Sequence, residues 1–181
     1  MTDLVSQLRA NPRRALADQA PWLLILASAI ILASAFAFEH IGGLLPCVLC
    51  LQQRWPHAIV VGIGLLILAG RPPNWASGLA LIAAGGVLFY GAAVAMFHVG
   101  VEQHWWAGTS GCGTGALTGA TAAELRAQLL ATPVARCDEI VWSLLGLSMA
   151  GWNFILSVIL GSIVALAGFD RFSDWYRATR T

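Results

Sequence analysis

The thiols are the residues most able to do chemistry. Cys47, Cys50, Cys112 and Cys137 are the sequence's only cysteines, and their spacing divides them into unlike pairs. Pro46-Cys47-Val48-Leu49-Cys50 is a C-x-x-C at the start of an apolar stretch. Redox-active pairs use this spacing because both sulfurs meet within one turn and one thiolate is stabilised. Cys50 is expected at a helix N-terminus, where unpaired N–H groups and the helix dipole favour an anion. Arg54 lies four residues on and shares a helical face with it. Both effects predict Cys50 as the activated sulfur. Cys112 and Cys137 stand far apart in a long loop, the first within the Gly-rich run Thr109-Ser110-Gly111-Cys112-Gly113-Thr114-Gly115. A disulfide there would close a long mobile loop that a soluble partner can reach. His98 and Glu102 form one further constellation, four apart on one helical face. They could line a polar head-group or take protons, or be solvated residues at a helix end. His40, His57 and His104 read as ordinary histidines.

The elements that hold these residues are apolar. Hydrophobic residues make up 58% of the 181 and charged residues 10%, against roughly 25% charged in soluble domains. A soluble domain of this size cannot hide so much apolar surface, so lipid is the expected solvent. No basic cluster exists to neutralise a phosphate backbone, which argues against nucleic acid as a partner. Four long uncharged windows predict spans at about 21–38, 52–70, 75–97 and 145–167, since about 20 apolar residues cross a bilayer core. The second window is short and borrows residues up to Arg54, with Arg54 and Arg71 snorkelling at its ends.

Orientation follows from the arginines. Arg9, Arg13, Arg14, Arg71, Arg171, Arg177 and Arg180 fall on one side; Arg54, Arg126 and Arg136 fall on the other. The positive-inside rule puts both termini in the cytoplasm. Two loops then face outward, at about 39–51 and 98–141, and together they carry all four cysteines. The expected architecture is all-α: a single membrane domain over 1–181, a four-helix bundle with two outward loops. A cleaved signal peptide is the alternative for the first span, but its uncharged stretch is longer than the usual h-region of about 7–15 residues. Arg13-Arg14 lacks the context of a twin-arginine signal.

Small residues inside the spans predict close helix approach, with Ala58–Gly62 and Gly91–Ala95 as small-xxx-small pairs. Trp22, Trp55, Trp75, Trp105, Trp106, Trp142 and Trp175 fall near span ends as interfacial anchors, and Trp152 falls deeper. Thr121-Ala122-Ala123-Glu124 reads as a capping box opening a short amphipathic helix in the second outer loop. Pro133 ends it.

Three other readings of the cysteines stay open on residues alone. They could form two static disulfides, although a thiolate-stabilising C-x-x-C is poorly explained by stapling. They could hold zinc, although Cys112 and Cys137 make no second knuckle and an outer compartment oxidises thiols. They could be incidental to a transporter, although the predicted spans carry no acidic residue to mark an ion path.

The C-x-x-C with Arg54, the outer pair Cys112 and Cys137, and Gly146-Leu147-Ser148-Met149 entering the fourth span resemble the disulfide bond formation protein B family (DsbB), over nearly the whole chain. The resemblance implies a bacterial inner-membrane enzyme that reoxidises a periplasmic DsbA-like, thioredoxin-fold thiol oxidase and passes the electrons to ubiquinone or menaquinone. It implies that Cys112 forms the mixed disulfide with the partner, Cys137 resolves onto Cys47, and Cys50 passes electrons to the quinone. Arg54 would contact the quinone ring, with His98 on the quinone side and Glu102 a further candidate. The energetics agree, because a DsbA-like partner near about −120 mV needs an acceptor more oxidising still. A vitamin K epoxide reductase relative shares the four-helix logic, but there the loop cysteines precede the C-x-x-C. This chain has the reverse order.

Overall fold

The computed structural model describes residues 12–112, 121–124 and 135–180. Four long helices make up nearly all of it: α1 (Pro12–His40), α2 (Val48–Gly70), α3 (Asn74–Glu102) and α4 (Met149–Ala178). Each is long and apolar enough to cross a membrane. Their outward faces carry Leu, Ile and Phe side chains, as lipid-facing helices require: Ile30, Leu66 and Leu166 are each more than 60% exposed. The structure is the all-α, four-span bundle expected from composition.

Helices α1 and α3 outrun their predicted windows at both ends, α2 only at its start and α4 only at its finish, where polar turns continue the backbone hydrogen bonding. The α2–α3 turn is Arg71-Pro72-Pro73, as expected. Arg71 adopts φ 43° and returns its N–H to Ile67 O at 3.0 Å, closing α2.

The largest departure is at the fourth span, expected from residue 145. Residues 143–148 instead form a tiny antiparallel hairpin, β1 (Ser143–Leu144) with β2 (Leu147–Ser148). Leu145 and Gly146 both have positive φ, the backbone of a two-residue hairpin turn, for which Gly146 is suited. Helix α4 therefore starts only at Met149, capped by Ser148, whose Oγ accepts from Gly151 N at 3.1 Å. Trp152, expected inside the bundle, donates from Nε1 to Leu144 O at 3.1 Å and ties the hairpin to the helix.

Helices α3 and α4 make the most extensive contact, through glycines that sequence periodicity did not single out as a pair. A Cβ on Gly168 would meet Gly78 O at 2.7 Å, and one on Gly85 would meet Gly161 O at 3.0 Å. Backbone touches backbone there, the contact on which helix association in lipid relies. The expected Ala58–Gly62 pair does not serve this purpose: Ala58 is exposed and Gly62 faces open space. Gly91 does pack, against Pro56 of α2, and Ala95 is fully buried. A Leu- and Ala-rich core of Leu24, Val60, Leu81, Leu88 and Val164 fills the interior.

At Thr121–Glu124 the capping box is present in both directions. Glu124 N donates to Thr121 Oγ1 at 3.3 Å, and Thr121 N to Glu124 Oε2 at 3.2 Å. The rest of the expected amphipathic helix lies outside the described residues.

Candidate redox site

All four cysteines meet at the bundle end where α2 and α4 begin and α3 finishes. Cys47 is the N-cap of α2, and its Sγ accepts from Cys50 N at 3.3 Å. The spacing predicts the helix-end benefit for Cys50. It falls to Cys47, because the helix starts one turn earlier than expected and the cap's own side chain faces the free N–H groups. The two sulfurs lie 2.9 Å apart, and Cys47 Sγ also sits 3.6 Å from His98 Nε2. The hydrogen bond from the Cys50 thiol is the main reason the Cys47 pKa falls to about 4; burial opposes it and His98 adds to it. The cap position, the Cys50 N–H and His98 all favour the thiolate at Cys47 over one at Cys50.

Cys112 and Cys137 are disulfide-bonded. Cys112 closes a single 3₁₀ turn (Ser110–Cys112), and Cys137 N reaches Cys112 O at 3.5 Å. The pair was expected on an accessible loop. Instead Cys137 is 0% and Cys112 8% exposed, in one buried cluster with Cys47, Leu49 and Val101. Gly111 lies against Val48, so the short turn that ends in Cys112 packs onto the first turn of α2. Apolar sulfur and Val side chains provide the reason, since they leave water together.

Cys50 faces elsewhere. It lines a cavity of about 300 Å³ opening between α1, α2 and α4. Ile30, Phe38, Met149 and Leu156 make its apolar walls, while Gln53, Arg54, His57, His98 and Asn153 provide a polar side. Arg54 is fixed from α1: it pairs with Glu39 at 2.5 Å, donates to Ala35 O at 3.5 Å and lies 4.8 Å over the Phe36 ring. Its guanidinium is therefore engaged by Glu39 rather than by Cys50. A cavity of this kind, apolar with few placed polar groups, suits a small flat ligand.

His98 and Glu102 share a helical face as expected, at 3.9 Å, but neither is solvated. Glu102 is buried and accepts a short hydrogen bond from Ser148 Oγ, so the cap of α4 is joined to the end of α3. Of the three expected ligand contacts, Arg54 and His98 line the large cavity. Glu102 lies in a smaller recess beside Cys47, with Arg136 and Glu139.

His57 is not an ordinary histidine, and Gln53, Asn153 and Ser28 belong to the site although no sequence motif marks them. His57 is 1% exposed and bonded to Asn153 Oδ1 at 2.9 Å and to Ser28 Oγ at 3.4 Å. The signal available was polarity inside a span, since such groups in lipid are costly and usually functional. The ligand atoms of Cys47, Cys50 and His98 lie within 4.8 Å of one another, a spacing that could hold a soft cation. Such a set requires both thiols reduced, because a disulfide withdraws two of the three ligands.

A lipid-embedded bundle that stacks a C-x-x-C beneath a second disulfide defines a membrane disulfide oxidoreductase. The family model "Disulfide bond formation protein DsbB" matches residues 17–167, and the chain belongs to that family. It is 32% identical to disulfide bond formation protein B of Marinobacter nauticus, over 86% of this chain and 95% of the relative. The Methylococcus capsulatus protein of the same name is also 32% identical, over 84% and 90%. No solved structure matches the chain significantly.

Proposed function

We propose that this protein oxidises a periplasmic DsbA-like, thioredoxin-fold thiol oxidase and delivers the electrons to a membrane quinone, ubiquinone or menaquinone. It does so from the bacterial inner membrane, with both termini cytoplasmic and the cysteine loops periplasmic, as the arginine distribution favours. One observation carries the reading: the C-x-x-C is two-sided. Cys47 packs with the Cys112–Cys137 disulfide, while Cys50 lines the apolar cavity.

The roles follow from that placement. A partner thiolate attacks Cys112 Sγ and breaks the Cys112–Cys137 bond, releasing Cys137 as thiolate. The partner's second thiol displaces Cys112, so the partner leaves oxidised and the loop pair holds two electrons. Cys137 then attacks Cys47 of the Cys47–Cys50 disulfide, and Cys50 leaves as thiolate. Cys112 displaces Cys47 and restores the loop disulfide. The leaving Cys47 is the sulfur already stabilised as thiolate, which speeds its departure. Ring-sized apolar walls, Arg54 and His98 fit a quinone head-group, which supplies the acceptor for two electrons and two protons. Arg54, anchored by Glu39, would hold a carbonyl oxygen of such a ring by charge-assisted hydrogen bonding.

The test is a coupled assay with the purified protein, a reduced DsbA-like oxidase and a short-chain quinone, read by quinone absorbance. One quinone should disappear for each partner disulfide formed. Partner oxidation with no loss of quinone would overturn the proposal.

A further inference from the structure

A continuous line of side-chain hydrogen bonds runs through the bundle from Ser28 to Cys47. His57 Nδ1 lies 3.4 Å from Ser28 Oγ, and His57 Nε2 lies 2.9 Å from Asn153 Oδ1. Asn153 Nδ2 donates to Gln53 Oε1 at 2.7 Å, and Gln53 Nε2 lies 2.8 Å from His98 Nδ1. His98 Nε2 then sits 3.6 Å from Cys47 Sγ. Three helices besides α3 contribute, α1 with Ser28, α2 with Gln53 and His57, and α4 with Asn153. Among the described residues every buried side-chain nitrogen or oxygen has a partner.

Donor counting gives this line a direction. An amide offers its oxygen only as acceptor and its nitrogen only as donor. Asn153 gives its N–H to Gln53, so its oxygen must accept from His57 Nε2–H, and also from Ser157 Oγ at 3.3 Å. Gln53 spends its oxygen on Asn153, so its nitrogen donates, and His98 Nδ1 must be the acceptor. A neutral imidazole that accepts at Nδ1 carries its proton on Nε2. That proton faces Cys47 Sγ at 3.6 Å, with Glu102 Oε1 3.9 Å from the same nitrogen.

We propose that Ser28, His57, Asn153, Gln53 and His98 form a one-way hydrogen-bond chain that holds His98 as the Nε2–H tautomer aimed at Cys47, with Gln53 as the positioning residue of the redox pair. The proposal rests on reading Cys47–Cys50 as the redox-active pair and adds how His98 is kept as a donor to it. Second-sphere partners commonly fix which histidine nitrogen carries the proton. In lipid the chain has a second consequence: breaking one link leaves polar groups with no water to replace it. The groups facing Cys47 besides His98 are Cys50 of α2, Glu102 of α3, and Arg136 and Glu139 of the outer loop. Gln53 is hydrogen-bonded to His98 and Asn153, so along the chain a Gln53 substitution reaches Cys47 through His98.

The experiment reads tautomer and thiolate directly. In the full-length protein in nanodiscs, with ¹⁵N-histidine, His98 should show the Nε2–H tautomer. With Cys47 and Cys50 reduced, the pH midpoint of Cys47 alkylation should rise in Gln53→Leu by about one unit, a roughly tenfold loss of thiolate at a pH between the two midpoints. Asn153→Leu, one link further away, should shift it in the same direction by less. Gln53→Leu should also let the His98 tautomers mix. An Nδ1–H tautomer in the parent protein would overturn the proposal without any variant. So would an unchanged alkylation midpoint in folded Gln53→Leu or, should that variant not fold, in Asn153→Leu. Because neither readout uses quinone or partner, failure of the oxidase reading leaves this test standing.

Discussion

The two ends of the bundle are built on different physics. At the end carrying both termini, α3 and α4 close on each other through Gly78 and Gly168, and Trp75 stacks beside Trp175 with ring centroids 6.2 Å apart. Arg171 stitches that end together, donating to Ala17 O at 3.1 Å and Ser77 Oγ at 3.0 Å, with Asp18 at 3.6 Å. At the other end the helices part around a cavity, and thiols, two histidines, a glutamate and two amides fill the interior. One end is held by backbone contact, and the other places thiols and polar side chains around a cavity. The difference teaches where substitutions should hurt stability and where they should hurt chemistry.

The largest separation should come from the thiols. Cys47→Ser and Cys50→Ser should each reduce partner-dependent turnover to background while the bundle stays folded, since serine preserves the local volume. A large loss of stability in either would place these cysteines with the packing end. The opposite outcome is expected from Gly168→Leu. Its side chain would meet Gly78 O and the backbone of Ile82 at under 3 Å, so stability should fall by about 1–3 kcal/mol or more. The protein that remains folded should turn over normally.

A smaller effect concerns pH. The Cys47 thiol is lowered to about 4, chiefly by the Cys50 hydrogen bond, whereas a free cysteine titrates near about 8.5. A lowered acid stays ionised above its folded pKa. Its stabilising contribution is therefore present above the unfolded value and is lost as pH falls through about 4. Cys47 alkylation by iodoacetamide should stay nearly flat from neutral pH down to about pH 5, where an ordinary thiol slows about tenfold per unit. A tenfold decline per unit below pH 8 would show that Cys47 is not the thiolate.

Arg54 should give the smallest shift. Its charge is paired with Glu39 from α1 rather than with either thiol. Arg54→Lys should keep that pair and raise the apparent quinone KM several-fold, since a lysine lacks the planar fork. Arg54→Gln should raise KM further, and neither should move Cys47 alkylation. A shifted alkylation midpoint in both would restore the direct Arg54–thiolate contact that the spacing suggested.

The four spans and the C-x-x-C were legible because lipid imposes long uncharged windows and redox thiols impose short spacing. What escaped was set by three dimensions. Cys50 appeared to own the helix end because the window began late, whereas the cap geometry belongs to Cys47. The hairpin at Leu145-Gly146 hid inside an apolar run that reads as helix. Gln53, His57 and Asn153 are scattered over α2 and α4, so only their meeting across the bundle reveals a chain. The burial of Cys137 likewise depends on its meeting Cys112, Cys47 and Val101 in one cluster, which no local pattern states. Gly78 and Gly168 looked like two among many small residues until backbone met backbone.

If the two cysteine pairs divide the labour as proposed, Cys112→Ser separates them. In that variant the Cys47–Cys50 pair should still be reduced by dithiothreitol and reoxidised by a short-chain quinone at near the parental rate. Oxidation of the DsbA-like partner should stop. Partner oxidation at the parental rate, or loss of the quinone reaction together with it, would contradict the division.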